Sequence, residues 1–144
     1  MTNKLHRGIK DLGIYVDGAS RGNPGPAAYG FIFIDKNTKV YEKSEFIGKA
    51  TNNVAEYTGI LSSLQEAQKI TTGNVKLYSD SQLAVRQLNK EYKINASHLS
   101  KIAENIFNLI GKFEQLEFIH VPRDNKYIQI CDKLCNKRLD EKGF

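Results

Sequence analysis

The chain has 144 residues, 40% of them apolar and 26% charged, with a net charge of +5. That balance suits one folded domain and excludes a disordered tail or a disulfide scaffold, and no apolar run is long enough to be a membrane-spanning helix. The positive excess favours polyanionic partners, because contacts to phosphate release counterions, although lysines also serve solubility alone.

Met1 to Leu12 is mixed and polar, without the apolar stretch of a signal peptide. We therefore expect a single domain over 1–144, with 1–11 as a short leader, in the cytoplasm. Ile14 to Asp17 begins the first strand. Ile14 and Val16 face one side, Tyr15 and Asp17 the other. Asp17 puts a charge where a buried strand should stay apolar, which is costly unless a cation or donors meet it. Gly18, Gly22, Asn23, Pro24, Gly25 and Pro26 then form a dense turn, open to close approach by a ligand. The simpler reading of Asp17 is a cap on that turn.

Ala27 to Ile34 reads as a second strand, Asp35 to Thr38 as a hairpin turn and Val40 to Gly48 as a third strand, so the opening is an antiparallel meander. Thr51-Asn52-Asn53 starts a helix with Tyr57, Ile60, Leu61, Leu64 and Ala67 on its inner face, and Ile70 one turn on. Val75 to Tyr78 is a strand that stops at Ser79-Asp80-Ser81. The helical crossover before it predicts parallel pairing. Gln82 to Asn89 is a short helix. Asn95 or Ser97 caps a longer one over His98 to Lys112, striped with Leu99, Ile102, Ala103, Ile106 and Ile110. Leu116 to Val121 is the fifth strand. Tyr127 to Leu139 closes as a helix with Ile128, Cys131, Leu134 and Cys135 in register. Cys131 and Cys135, one helical turn apart, are expected inside as small apolar residues. The order β-β-β-α-β-α-α-β-α predicts an α/β fold, a five-stranded mixed sheet flanked by helices.

Four carboxylates stand out: Asp17 on the first strand, Glu56 near the start of the first helix, Asp80 at the end of the fourth strand and Asp132 in the last helix. Each alone has an ordinary explanation in turn formation or the helix dipole. Together, Asp17-Gly-Ala-Ser-Arg-Gly-Asn-Pro-Gly, Thr51-Asn-Asn-Val-Ala-Glu56-Tyr, Ser79-Asp80-Ser-Gln and Asp132-Lys-Leu-Cys-Asn136 resemble, in order, the four signature segments of type 1 ribonuclease H. The resemblance runs from about Leu12 to Leu139 and implies a ribonuclease H-like fold with the first three strands antiparallel.

It also implies hydrolysis of the RNA strand of RNA/DNA hybrids, leaving 5′-phosphate and 3′-hydroxyl ends. Two Mg²⁺ ions, or Mn²⁺ in their place, would be held by Asp17, Glu56, Asp80 and Asp132. Mg²⁺ is a hard ion that prefers carboxylate, water and phosphate oxygens, and paired ions suit an in-line displacement at phosphorus. Without metals, four packed acids should repel, with a loose site and raised pKa values. Substrate choice should rest on the 2′-hydroxyl, read around Gly18, Ser20 and Gly22 with Asn23, Asn52, Asn53 and Gln82 on the RNA side. Thr51 and Asn23 resemble a phosphate pocket for the DNA strand, joined by Lys49. No protein partner or membrane is implied, and a monomer is expected.

The chain departs from the family in three places. Lys90 to Ala96 is short, offers only Lys90, Tyr92 and Lys93, and lacks the basic, Trp-rich extension of some members. Related chains place Asn four residues before the last acid, where this chain has Ile128, so Asp124 becomes a rival ligand. A loop His often precedes that acid. Here His120 lies two residues too far away, while Arg123 stands in the loop and could assist phosphate departure. His6 and His98 look incidental. The competing functions are a DNA-cutting nuclease of the same fold, disfavoured by the amides, a hybrid or double-stranded nucleic-acid binding module with little catalysis, and a basic structural protein.

Overall fold

Three consecutive strands, β1 (Asp11–Ser20), β2 (Gly25–Asp35) and β3 (Thr38–Ala50), build the antiparallel half of one sheet. Lys36 and Asn37 both take positive φ, 50° and 64°, in the two-residue turn between β2 and β3. Such a turn matches the natural twist of the strands it joins. The computed structural model describes residues 8–144, so His6 and residues 1–7 of the expected leader lie outside the described residues. β1 starts earlier than the apolar alternation indicated, and Ile9 is already buried, its carbonyl accepting a bond from Thr71 Oγ1.

The other elements follow in the predicted order: α1 (Asn52–Ala67), β4 (Asn74–Ser79), α2 (Gln82–Leu88), α3 (Ser97–Ile110), β5 (Gln115–His120) and α4 (Lys126–Glu141). The sheet order is β3-β2-β1-β4-β5. β4 pairs parallel with β1 and with β5, as a helical crossover requires.

Alternation along β1 and β2 divides the core. Leu12, Ile14, Val16, Phe31 and Phe33 pack with Ile60 and Leu64 of α1, and α3 adds Leu99, Ala103 and Ile106. On the opposite face Ala28, Ile32 and Ile34 pack with Cys131, Cys135 and Leu139 of α4. Both cysteines are fully buried and free, as their spacing indicated.

The start of α3 differs from the sequence reading. Its N-cap is Ala96, with no side-chain bond, rather than Asn95 or Ser97. Ser97 is already the first helical residue, so its hydroxyl is past the capping position. α1 and α4 begin with proper caps, Thr51 accepting from the Val54 N–H and Asn125 from those of Tyr127 and Ile128. Among the described residues no helix is long and apolar enough to cross a membrane.

Candidate active site

The parallel pairing of β1 and β4 makes the site. Val16 and Ser79 are register partners, so Asp17, still within β1, and Asp80, the first residue past β4, lie side by side at the end of β4. α1 begins over that end and delivers Glu56 in its second turn. Carboxylate oxygens of Asp17, Glu56 and Asp80 lie within 4.8 Å of one another. Asp17 and Glu56 are buried, at 8% and 4% exposure, which removes water as the usual partner of a charge.

Gly18 explains how strand and helix come so close. A Cβ there would lie 2.4 Å from the Glu56 nitrogen and 2.5 Å from the Ala55 carbonyl carbon, both backbone atoms. With no side chain in the way, the Gly18 N–H donates to Asp17 Oδ1 and to Glu56 Oε1, each at 3.0 Å. The buried Ser79 hydroxyl donates to Glu56 Oε2 at 2.6 Å and accepts from the Ser81 N–H. Gly18→Ala should therefore push the start of α1 away and lower the thermal midpoint by several degrees. Gly111→Ala is the control, because a Cβ there meets nothing within 4 Å. Melting curves of the two variants check this.

The electrostatics follow from burial. Desolvation first, then the like charges of Glu56, Asp80 and Asp132, push the Asp17 carboxyl up to about 9, against the opposing Gly18 N–H. Burial likewise pushes Glu56 up to about 8, with the Ser79 and Gly18 bonds opposing and Asp80 adding. The expected repulsion is thus present, yet the acids are not loose, because Gly18 and Ser79 pin Glu56 and Asp17 and Arg123 Nε lies 3.5 Å from Asp80 Oδ2. All three side chains offer oxygen, and their spacing suits a hard divalent cation. Burial, together with the neighbouring carboxylates, holds the Cys131 and Cys135 thiols well above their usual range, so neither is a nucleophile.

The three acids open into a cleft of about 560 Å³. Asp132 of α4 is exposed on its wall, outside the tight group of three, along with Ser20, Asn52, Asn53 and Arg123. Gly22, Asn23, Lys49, Thr51, Gln82 and His120 are not among its walls. Asn23 and Asn52 instead brace the loop, Asn52 Oδ1 accepting from the Ser20 N–H and Asn23 Oδ1 from the Asn52 N–H, both at 3.0 Å. His120, His98 and Asp124 are exposed, and the cleft walls include none of them. Ile128, where an amide was expected from related chains, is a core residue at 1% exposure.

The sequence reading did not single out Ser79 as the partner of Glu56, nor Gln129 and Lys133 on the cleft wall. Gln129 stands three residues before Asp132 on the same helix face, so helical spacing was the available signal for it; Lys133 carries no such signal.

Residues 15–137 match a family model described as reverse transcriptase-like. Over 130 residues the chain is 38% identical to a bifunctional protein of Mycobacterium tuberculosis, covering 88% of this chain but only 35% of that protein. It is 32% identical to a ribonuclease H of a Thermoanaerobacter species, covering 94% of each. Among solved structures, RNase H1 of Halobacterium salinarum superposes with a TM-score of 0.85 at 36% identity, over 91% of this chain and 98% of that one. LC11-RNase H1 in complex with an RNA/DNA hybrid gives 0.84 at 34% identity, over the same shares.

Proposed function

The chain belongs to the ribonuclease H family, and from that premise we propose that it is an endoribonuclease that hydrolyses the RNA strand of RNA/DNA hybrids by two-metal-ion catalysis. The observation that carries this is the tight group of Asp17 on β1, Glu56 on α1 and Asp80 just past β4, the first two buried, with Asp132 on the same cleft. The hybrid bound by LC11-RNase H1 supports the substrate. Asp17, Glu56, Asp80 and Asp132 would hold two Mg²⁺ ions, or Mn²⁺. Bound there, the ions would supply the positive charge that activates water and stabilises the departing 3′ oxygen, leaving 5′-phosphate and 3′-hydroxyl ends.

The chain's own residues supply position. Gly18 and Ser79 fix the directions of Asp17 and Glu56 through their N–H and hydroxyl donors. Asn53, exposed on the cleft wall, offers an amide that both donates to and accepts from a 2′-hydroxyl. Ser20 and the Asn52 brace keep the Gly-rich loop beside it, and Gly22, Asn23 and Gln82, outside the cleft walls, would serve the RNA strand as the family resemblance implies. Thr51, Asn23 and Lys49 would serve the DNA strand, as the family resemblance implies. Arg123, 92% exposed beside Asp80, is better placed than His120 to meet the phosphate as product leaves. The protein acts as a cytoplasmic monomer.

A labelled RNA/DNA duplex incubated with protein and Mg²⁺ or Mn²⁺, beside matched RNA/RNA and DNA/DNA, tests the reading. We expect cutting of the RNA strand of the hybrid alone. It should stop with chelator and leave 3′ ends that a polymerase extends without phosphatase treatment. Binding of the hybrid with no cutting would instead favour the binding-module reading.

A further inference from the structure

Asp132, Asn136 and Asp140 recur every four residues on α4 and so share one side of the helix. The first is the fourth acid. The other two meet Arg21, which stands in the loop between β1 and β2. Arg21 Nη1 lies 2.8 Å from Asp140 Oδ1. Its Nη2 donates to Asn136 Oδ1 at 3.1 Å and to the Asn136 carbonyl at 3.4 Å. The Phe144 carbonyl accepts from Nη1 as well. Asn136 Nδ2 then donates to the main-chain carbonyl of Asp132 at 3.1 Å.

The same loop is tied on its other side to α1, through Asn52 to Ser20 and Asn23. It is closed by the Arg21 N–H on the Pro26 carbonyl at 2.8 Å. The loop is therefore held between the helix that carries Glu56 and the helix that carries Asp132. Side chains of Arg21 and Asp140 are 33% and 70% exposed, where an ion pair adds little stability. A guanidinium fork spanning two residues fixes geometry rather than adding much energy.

We propose that Arg21 is a positioning residue. It sets the distance between the end of β1 with its following loop, which bear Ser20 and Asn23, and the turn of α4 that bears Asp132, so that the groove gripping the nucleic acid stays aligned with the acids. This rests on the hybrid-cleaving reading, and the wild-type rate is therefore measured first.

Steady-state kinetics on the hybrid compare wild type, Arg21→Ala, Arg21→Lys, Asn136→Ala and the double variant Arg21→Ala with Asn136→Ala. Arg21→Ala and Asn136→Ala are expected to raise KM about tenfold while kcat stays within about threefold. The double variant should be no worse than Arg21→Ala, because both remove one clamp. Arg21→Lys should recover only part of the loss, since an ammonium reaches Asp140 but cannot span to Asn136. If Arg21→Ala fails to fold, Asp140→Asn at the exposed end of the clamp reports the same KM shift at smaller size. Unchanged KM, additive losses in the double variant, or a fall in kcat alone that tracks lost folded protein would overturn the proposal. Absence of cutting by wild type would overturn the functional reading instead.

Discussion

Asp17→Asn should lower cleavage of an RNA/DNA hybrid by roughly 10³-fold or more while the protein stays folded and still binds the duplex. Asp17 sits at the centre of the acids: its carboxyl feels the charges of Glu56, Asp80 and Asp132 together. Asparagine keeps the size and leaves an oxygen to accept the Gly18 N–H, which in the wild type bonds Asp17 Oδ1 at 3.0 Å. What it removes is the negative charge that a divalent cation needs. The loss should fall on the rate under saturating hybrid, with the dissociation constant in chelator changed little. Residual cleavage above a tenth of wild type would mean that the charge of Asp17 is not central. Glu56→Gln is a harsher change for a structural reason, because Glu56 accepts from both Gly18 and Ser79 and an amide offers only one oxygen.

Most of the architecture was legible because it is written in local periodicities. Alternation in Ile14 to Asp17 set the two faces of β1, and the stripe from Tyr57 to Ala67 set the inner face of α1. The acids were legible as a set because they fall in four ordered segments that resemble the family's signatures, three of them near a turn or cap signal. What could not be read is what depends on distant contacts. Ser79 looks like any serine before a turn, and only the approach of α1 makes it the donor to Glu56. Asp132 reads as equal to the other acids, yet α4 leaves it exposed on the cleft wall while β1 and β4 bury or crowd its partners. Arg21 in a glycine-rich turn looks like a solvated charge until α4 arrives with Asn136 and Asp140. The cap of α3 was misread because serine and asparagine flank an alanine that adopts the capping conformation without a side-chain bond.

The metal-free protein should lose stability as pH rises from about 4 to about 9, and divalent cations should restore it. The sign follows from the two buried acids. The Asp17 carboxyl is raised from 3.8 to about 9 and that of Glu56 from 4.5 to about 8 in the fold. Between those limits the folded state binds more protons than the unfolded chain, so unfolding free energy falls as pH increases. The contribution is fully present below the unfolded values and is lost by the time pH passes the folded ones. It shows as a thermal midpoint that falls steadily across that range. The informative quantity is the midpoint of Asp17→Asn minus that of wild type in chelator. That difference should be small near pH 5 and grow toward pH 9, because the variant has no carboxylate to ionise at the centre of the group. Adding Mg²⁺ at about 100 times its dissociation constant should recover about 2.7 kcal/mol in the wild type and far less in the variant. A difference that stays flat across this range would mean that the buried acids do not carry the strain that burial and like charge impose on them.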